Sequence, residues 1–267
     1  MKSQQPIGIF DSGIGGLTVA NAISNLLPNE QLIYFGDTAH MPYGEKSKEL
    51  IRKYASRITD FLLNEKNCKA IVIACNTASA AAYEVLRDQF IGKIPVINVI
   101  DPMIEAVIRD ETIHKVGIIA TKTTIESGVY QEKFTRRKPE LKFLAMQTPL
   151  LASMIEEGFY NNNISSAVLE SYLSKDELKG IDGLVLACTH YPLIKKEISA
   201  FYKDKIRIFD SAEVVARKLE LILEIEKLIS NKRIAEDVFY VSDYTKSFER
   251  TTNIFYGKEI HLDLLKF

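Results

Sequence analysis

Two cysteines occupy matching places in the sequence and could act as a proton donor and a proton acceptor. Cys75 follows the apolar run 71–74 and Cys188 follows the apolar run 184–187, and a helix-forming segment comes next in both cases. Each thiol is therefore expected at a strand-to-helix turn, where the helix N-terminus promotes loss of the thiol proton. Because a thiol has an ordinary pKa of about 8.5, either cysteine can serve as acid or base once its surroundings adjust that value.

Polar residues beside the two cysteines could assist such proton transfer. Asp11 ends the first apolar run and opens the Asp-Ser-Gly-Ile-Gly-Gly segment 11–16, so its carboxylate could take up or hold a proton from Cys75. Thr18 stands where a dinucleotide-binding fingerprint has its third glycine, which disfavours nucleotide binding. His190 follows Cys188 by two residues, and its near-neutral pKa suits it to tune that thiol.

Hydroxyl, amide and backbone N–H donors near the same turns could hold a carboxylate. The candidates lie in the Gly-rich segment, in a Pro-Tyr-Gly loop and directly after each cysteine, where helix starts expose free N–H groups. The predicted ligand-binding residues are Ser12, Tyr43, Gly44, Asn76, Thr77, Thr189 and His190.

Other chemistry fits the cysteines less well. Cys188 and His190 could bind a metal ion together with Cys75, but zinc sites favour paired ligands at close spacing and no fourth ligand is evident. A Cys/His hydrolase would need one thiolate and an oxyanion hole, which leaves the second cysteine without a role. Cys68, just before the third predicted strand, is interpreted as a partly buried loop cysteine.

Composition narrows the classes of partner and location. The chain has 267 residues, 46% of them hydrophobic, and a net charge of −1 with both signs interspersed. This balance gives no electrostatic reason to expect nucleic acid or a membrane surface as partner. No apolar run approaches the roughly 20 residues of a membrane span, and the N-terminus lacks the pattern of a secretory signal. We expect a cytoplasmic protein with reduced thiols.

Apolar segments alternate with longer amphipathic segments, which is the pattern of βα units on parallel sheets. The pattern restarts after 101–102, and equivalent features recur about 110 residues apart, which indicates a duplicated unit. We predict an α/β fold of two pseudo-symmetric parallel-sheet domains with the active site in the interdomain cleft. The first domain is expected to comprise 1–98 plus 209–267, and the second 99–208. Predicted strands are 6–10, 31–35, 71–74, 95–99, 115–121, 142–145, 184–187, 207–210, 239–242 and 253–256.

Five motifs in order make the chain resemble the glutamate racemases, in the cofactor-independent aspartate/glutamate racemase family. They lie at 8–19, in Gly-Asp-Thr 36–38 with Pro-Tyr-Gly 42–44, and at 74–79, 155–158 and 187–192. The resemblance implies that Cys75 and Cys188 are the two acid/base residues and that Asp11, Glu156 and His190 assist them. It also implies that Asp37 and Thr121 are further active-site positions. The substrate-binding residues that it implies are Asp11, Ser12, Tyr43, Gly44, Asn76, Thr77, Thr189 and His190.

Two positions depart from the pattern of that family. Thr148 stands where many members have cysteine, and His40 stands where arginine is frequent. Both lie outside the cysteine pair, so they bear on substrate access and regulation more than on the reaction.

The chemistry of racemisation agrees with the interpretation of the two cysteines. Inversion at Cα removes a weakly acidic proton from one face and delivers a proton to the other, and two opposed thiols can do both. No lysine stands in a recognisable pyridoxal-phosphate setting, which favours a cofactor-free reaction. The resemblance implies a homodimeric racemase that interconverts L- and D-glutamate and supplies D-glutamate for peptidoglycan. An aspartate-type racemase and a regulatory binding protein on the same scaffold are the alternatives.

Overall fold

Two parallel β-sheets form the framework of the protein. The computed structural model describes residues 2–266, with the backbone alone at 246, 247, 249 and 250. The strands are β1 Ile7–Asp11, β2 Leu32–Gly36, β3 Ala70–Ile73, β4 Val96–Asn98, β5 Lys115–Ala120, β6 Lys142–Gln147, β7 Gly183–Ala187, β8 Arg207–Asp210, β9 Val238–Val241 and β10 Asp263–Leu264. The first sheet has the order β10-β9-β2-β1-β3-β4, and the second has the order β6-β5-β7-β8.

Helices cover both sheets. They are α1 Leu17–Leu26, α2 Lys48–Asp60, α3 Asn76–Phe90, α4 Ile100–Arg109, α5 Lys122–Glu126, α6 Val129–Arg137, α7 Pro149–Glu156, α8 Asn163–Leu173, α9 Lys195–Phe201, α10 Ser211–Ile225 and α11 Lys246–Tyr256. Within residues 2–266, no helix is both long enough and apolar enough to cross a bilayer. The predicted α/β fold with two parallel sheets is confirmed.

The central strands are buried on both faces, as their apolar sequences predict. Every residue of β1, β2, β3 and β7 is buried. Because successive side chains of a strand point to opposite faces, neighbouring residues of β1 enter different cores. Ile9 belongs to a large core that continues through α1 and α4 to the second sheet, whereas Phe10 packs on the opposite face with α2 and α3. Burial on both faces explains the continuous apolar runs in the sequence.

The C-terminal part of the chain returns to the first sheet. β9 pairs with β2, β10 pairs with β9, and α10 packs against α1. β8 (Arg207–Asp210) pairs with β7 in the second sheet, so this strand crosses the predicted domain boundary at 208/209. The boundary itself stays a prediction.

One predicted element is wrong. The 253–256 segment, expected as a strand because of its β-branched and aromatic residues, is the end of α11. Thr251, Thr252, Phe255 and Tyr256 are all buried, and their spacing is that of one helix face. Gly257 then ends the helix in the left-handed conformation, with φ 78°. This helix packs against α1, and that packing outweighs the strand preference of the short aromatic run.

Candidate active site

A cavity lies where the carboxyl ends of the two sheets meet. Cys75 follows β3 of the first sheet, Cys188 follows β7 of the second, and both line this cavity. Ligands bind at this end of parallel strands in open α/β sheets. Every predicted site residue except Asp11 and Asp37 lines the cavity: Ser12, Tyr43, Gly44, Cys75, Asn76, Thr77, Thr121, Glu156, Cys188, Thr189 and His190.

Cys75 is the capping residue of α3 and is almost fully buried, at 5% exposure. Its Sγ accepts a hydrogen bond from the backbone N–H of Ala78 at 3.4 Å, and its thiol donates to Ser12 Oγ at 3.5 Å. Burial and the negative charge of Asp11 raise the pKa of Cys75 to about 12, although both hydrogen bonds oppose the shift. Cys75 therefore carries its proton at neutral pH.

Asp11 lies behind the cavity and is fully buried. Its Oδ2 accepts the backbone N–H of Gly13 at 3.0 Å. Its Oδ1 has no hydrogen-bond partner within the described part of the chain. Burial raises the pKa of Asp11, and the nearby His190 opposes that shift. Asp11 can thus influence proton transfer at Cys75, but it does not line the cavity in which substrate binding was expected.

Cys188 begins a relay of three side chains. Its Sγ lies 3.5 Å from His190 Nδ1, and His190 Nε2 lies 2.7 Å from Glu156 Oε1. Burial lowers the pKa of His190, but the hydrogen bonds and charges of Cys188 and Glu156 outweigh it and raise the pKa well above the ordinary 6.5. The surroundings of His190 thus favour the protonated imidazole, which places one N–H toward the sulfur and one toward the carboxylate.

The turn that carries His190 packs tightly against the glycine turn of the first sheet. Thr18 Oγ donates to the backbone carbonyl of Thr189 at 3.2 Å. A Cβ atom built at Gly15 would lie 2.5 Å from His190 Cε1, closer than real side-chain contacts allow. The ring of Phe255, from α11, meets the imidazole edge-on with 5.2 Å between ring centres. These contacts explain why glycine is needed at position 15 and how the imidazole orientation is fixed.

Donors converge on the cavity at the start of α3. Asn76 is buried, and its Nδ2 has no hydrogen-bond partner among the described residues. The hydroxyl of Thr77, in α3, lies 3.1 Å from that of Thr121 and 3.4 Å from that of Thr124, both at the start of α5. The three hydroxyls therefore form one cluster between these two helices. Amide and hydroxyl donors at a helix N-terminus form a suitable site for a carboxylate.

Tyr43 is held in place by Asp37. The Tyr43 hydroxyl donates to Asp37 Oδ2 at 2.6 Å, and Ser242 Oγ donates to Asp37 Oδ1 at 2.8 Å. His40 Nδ1 also lies 2.8 Å from Oδ1 of this carboxylate. Asp37, expected as a further active-site position, thus lies behind Tyr43 and outside the cavity lining. The Gly44 carbonyl accepts from the Thr123 hydroxyl, which joins this loop to α5.

Sequence reasoning missed several residues that line the cavity: Gly13, Met41, Pro42, Ala152, Ser153 and Ala187. Ala152 and Ser153 lie one turn before Glu156 in α7, so a helix assigned to 149–156 would have predicted them. Thr148, one of the two departures, does not line the cavity; it is buried, with its hydroxyl 2.7 Å from that of Tyr191.

Comparisons with known proteins agree with this geometry. The model of the Asp/Glu/Hydantoin racemase family matches residues 15–219. Glutamate racemase of Chlorobaculum tepidum is 41% identical over 97% of this chain and 95% of that protein. The crystal structure of Francisella tularensis glutamate racemase in complex with D-glutamate has a TM-score of 0.92 and 37% identity, covering 99% of this chain and 98% of that one. Thermus thermophilus glutamate racemase in complex with β-chloro-D-alanine gives a TM-score of 0.89 and 36% identity, over 99% and 98%.

The matched range contains both cysteine turns and every side chain of the Cys188–His190–Glu156 relay. This chain belongs to the Asp/Glu/Hydantoin racemase family.

Proposed function

We propose that this protein is a glutamate racemase that interconverts L- and D-glutamate through two cysteines without a cofactor. The observation that carries the proposal is the placement of Cys75 and Cys188: each ends a strand of a different sheet, and both line one cavity. Its relatives of known name, at about 40% identity over nearly the whole chain, support glutamate as the substrate.

In the proposed reaction, one sulfur takes the Cα proton and the other returns a proton to the opposite face. Cys75 is a thiol at neutral pH because its pKa is raised to about 12. We assign the role of first base to Cys188, because its Sγ lies 3.5 Å from Nδ1 of His190, whose surroundings favour a positive charge beside the sulfur. The Cys188 thiolate removes the proton, the Cα–H electron pair stays on the substrate as a carbanion, and the Cys75 thiol protonates that carbanion.

One turnover exchanges the protonation states of the two sulfurs, so the reverse reaction starts from a Cys75 thiolate. The proton that Cys75 gives up during turnover goes to Cα. When free enzyme with a Cys75 thiol reacts in the reverse direction, Asp11, whose pKa is raised by burial, can take the Cys75 proton beforehand. A bound amino acid also brings an ammonium group, and a positive charge beside Cys75 favours its thiolate form. At the other sulfur, His190, which is hydrogen-bonded to Glu156, can supply the proton that Cys188 then carries.

The carbanion needs stabilisation by donors on the substrate carboxylate. The amide of Asn76 and the hydroxyls of Thr77 and Thr121 line the cavity for this purpose. Thr189 lies at the equivalent place after β7. Donors that are fixed before the reaction begins need no rearrangement as charge develops, which lowers the barrier.

We propose that the product D-glutamate is used for peptidoglycan and that the enzyme is a cytoplasmic homodimer. Both parts rest on the family resemblance and are tested separately, by D-glutamate auxotrophy of a deletion strain and by sedimentation of the purified protein.

Circular dichroism of L- and D-glutamate solutions, with no added cofactor, tests the activity. Cys75→Ala and Cys188→Ala should each lower racemisation by about a thousandfold or more, because each removes an acid/base group. Cys68→Ala is the control, since this buried thiol lies outside the cavity lining and should be dispensable for turnover. Wild-type protein that racemises aspartate and not glutamate would overturn the substrate assignment. Full turnover in either cysteine variant would overturn the two-base mechanism.

A further inference from the structure

We infer that Tyr130 is a positioning residue for racemisation: its hydroxyl fixes the side-chain amide of Asn76 so that the amide nitrogen faces the substrate carboxylate. The inference rests on the proposed function, because it gives Asn76 a part in substrate binding. Tyr130 itself does not line the cavity and acts through Asn76.

The contact joins elements that follow different sheets. Tyr130 lies in the first turn of α6, and the Tyr130 hydroxyl donates to Asn76 Oδ1 at 2.9 Å. Both side chains are 3% exposed, so water does not compete for this hydrogen bond. The ring of Phe134 packs one turn further along α6, with 6.4 Å between the ring centres. The phenol is therefore held on its apolar face as well as at its oxygen.

The chemistry of an amide makes this one contact decisive. A side-chain amide has an acceptor oxygen at one end and a donor nitrogen at the other. Burial raises the pKa of Tyr130, so its hydroxyl keeps its proton and donates. A donor at Oδ1 directs Nδ2 away from Tyr130. Asn76 Nδ2 is buried without a hydrogen-bond partner in the described part of the chain, and Asn76 lines the cavity with both cysteines.

An acceptor on the ligand is the group that would satisfy this nitrogen. Buried polar groups are nearly always hydrogen-bonded, and a carboxylate offers acceptors only. If the amide turned over, Nδ2 could donate to the Tyr130 oxygen, but the phenol proton would lose the acceptor that Asn76 Oδ1 provides, and Oδ1 would face the carboxylate and repel it. The Tyr130 hydroxyl thus selects the amide orientation that attracts an anionic substrate.

Steady-state kinetics with L- and D-glutamate test the inference. Tyr130→Phe keeps the ring and removes only the hydroxyl, so KM should rise about tenfold and kcat should fall as well, because the amide binds the carboxylate in the ground state and stabilises the charge that develops in the transition state. Asn76→Asp keeps the acceptor for Tyr130 and replaces the donor with a negative oxygen, so KM should rise further than in Tyr130→Phe. Tyr202→Phe is the control, since that hydroxyl has no hydrogen-bond partner among the described residues and lies outside the cavity lining.

A double-mutant cycle separates positioning from general packing. In an Asn76→Ala background, Tyr130→Phe should cause no additional rise in KM, because the group that it orients is gone. Wild-type KM in Tyr130→Phe, or a full additional effect in the double variant, would overturn the inference. Wild-type protein that does not racemise glutamate would overturn the proposed function instead. In that case, calorimetric titration of L-glutamate into wild-type and Tyr130→Phe protein tests Tyr130, and equal affinities would overturn its role.

Discussion

Glu156 Oε1 lies 2.7 Å from His190 Nε2, and this contact adds to the rise in the imidazole pKa that the neighbouring Cys188 causes. Glu156 is the last residue of α7, whereas His190 follows β7, so the pair depends on how that helix packs against the second sheet. The carboxylate and the sulfur together raise the pKa of His190 despite the burial that would lower it.

Glu156→Gln should lower the pKa of His190, because the variant keeps an acceptor and loses the negative charge. His190 is active as an imidazolium, so a lower pKa means that its proton is lost at lower pH. The alkaline limb of the kcat/KM profile should therefore move down by about one pH unit, the usual effect of one close opposite charge. Glu157→Gln is the matched control, since Glu157 is exposed and outside the cavity lining. An unchanged profile in Glu156→Gln would contradict this relay.

Gly15→Ala should reduce activity strongly. Its Cβ would meet His190 Cε1 at 2.5 Å and Thr189 Oγ at 2.6 Å, so the turn that carries the imidazole must shift. We expect kcat/KM to fall about a hundredfold, in line with the effect of displacing a catalytic group by about 1 Å. Wild-type kcat/KM in Gly15→Ala would contradict a role for the close approach at position 15.

Lys69→Met should destabilise the protein. Lys69 Nζ lies 2.5 Å from Glu30 Oε2 and donates to the carbonyls of Ser3 at 2.6 Å and Leu228 at 2.8 Å. Glu30 Oε1 accepts the N–H of Ser230 at 2.8 Å, so the pair anchors the returning C-terminal segment. Removing one partner leaves a buried charge unpaired and should lower the free energy of unfolding by about 3–5 kcal/mol.

Urea denaturation measures that loss, and an exposed ion pair supplies its control. Arg217 and Glu213 form a pair on the surface of α10, with side chains 66% and 73% exposed. Arg217→Met should change the free energy of unfolding by less than about 0.5 kcal/mol. The double variant Lys69→Met/Glu30→Gln should recover part of the loss, because no unpaired charge remains. A loss in Lys69→Met no larger than in Arg217→Met would show that the buried pair does not anchor the segment.

The strand-end residues of the site could be predicted from sequence because their signals are local. Cys75 and Cys188 each follow an apolar run and precede a helix start, and parallel sheets bring such turns to one edge. The contacts behind the cavity could not be predicted in this way. Ser242 and Asp37 are 205 residues apart and meet only because β9 lies beside β2. Nothing local in either segment encodes that pairing.

The same limit explains the missing role of Tyr130 and the wrong strand at 253–256. Tyr130 lies 54 residues from Asn76, on a short helix whose sequence indicates only an amphipathic segment. The 253–256 run has strand-forming residue types, and only the longer spacing of buried residues from Thr251 to Tyr256 identifies a helix. Packing between distant segments determined both features.

Deuterium incorporation at Cα is the most direct measurement of whether two sulfurs serve opposite faces of one carbon. L-Glutamate is racemised in D₂O by the wild-type protein, and both enantiomers are isolated early in the reaction. With Cys75 and Cys188 as separate bases, the D-glutamate formed should carry deuterium at Cα and the remaining L-glutamate should not. When the reaction starts from D-glutamate, the L-glutamate formed should carry deuterium and the remaining D-glutamate should not. Product that retains the substrate's own hydrogen, or deuterium entering the recovered substrate as fast as the product, would contradict two-base racemisation.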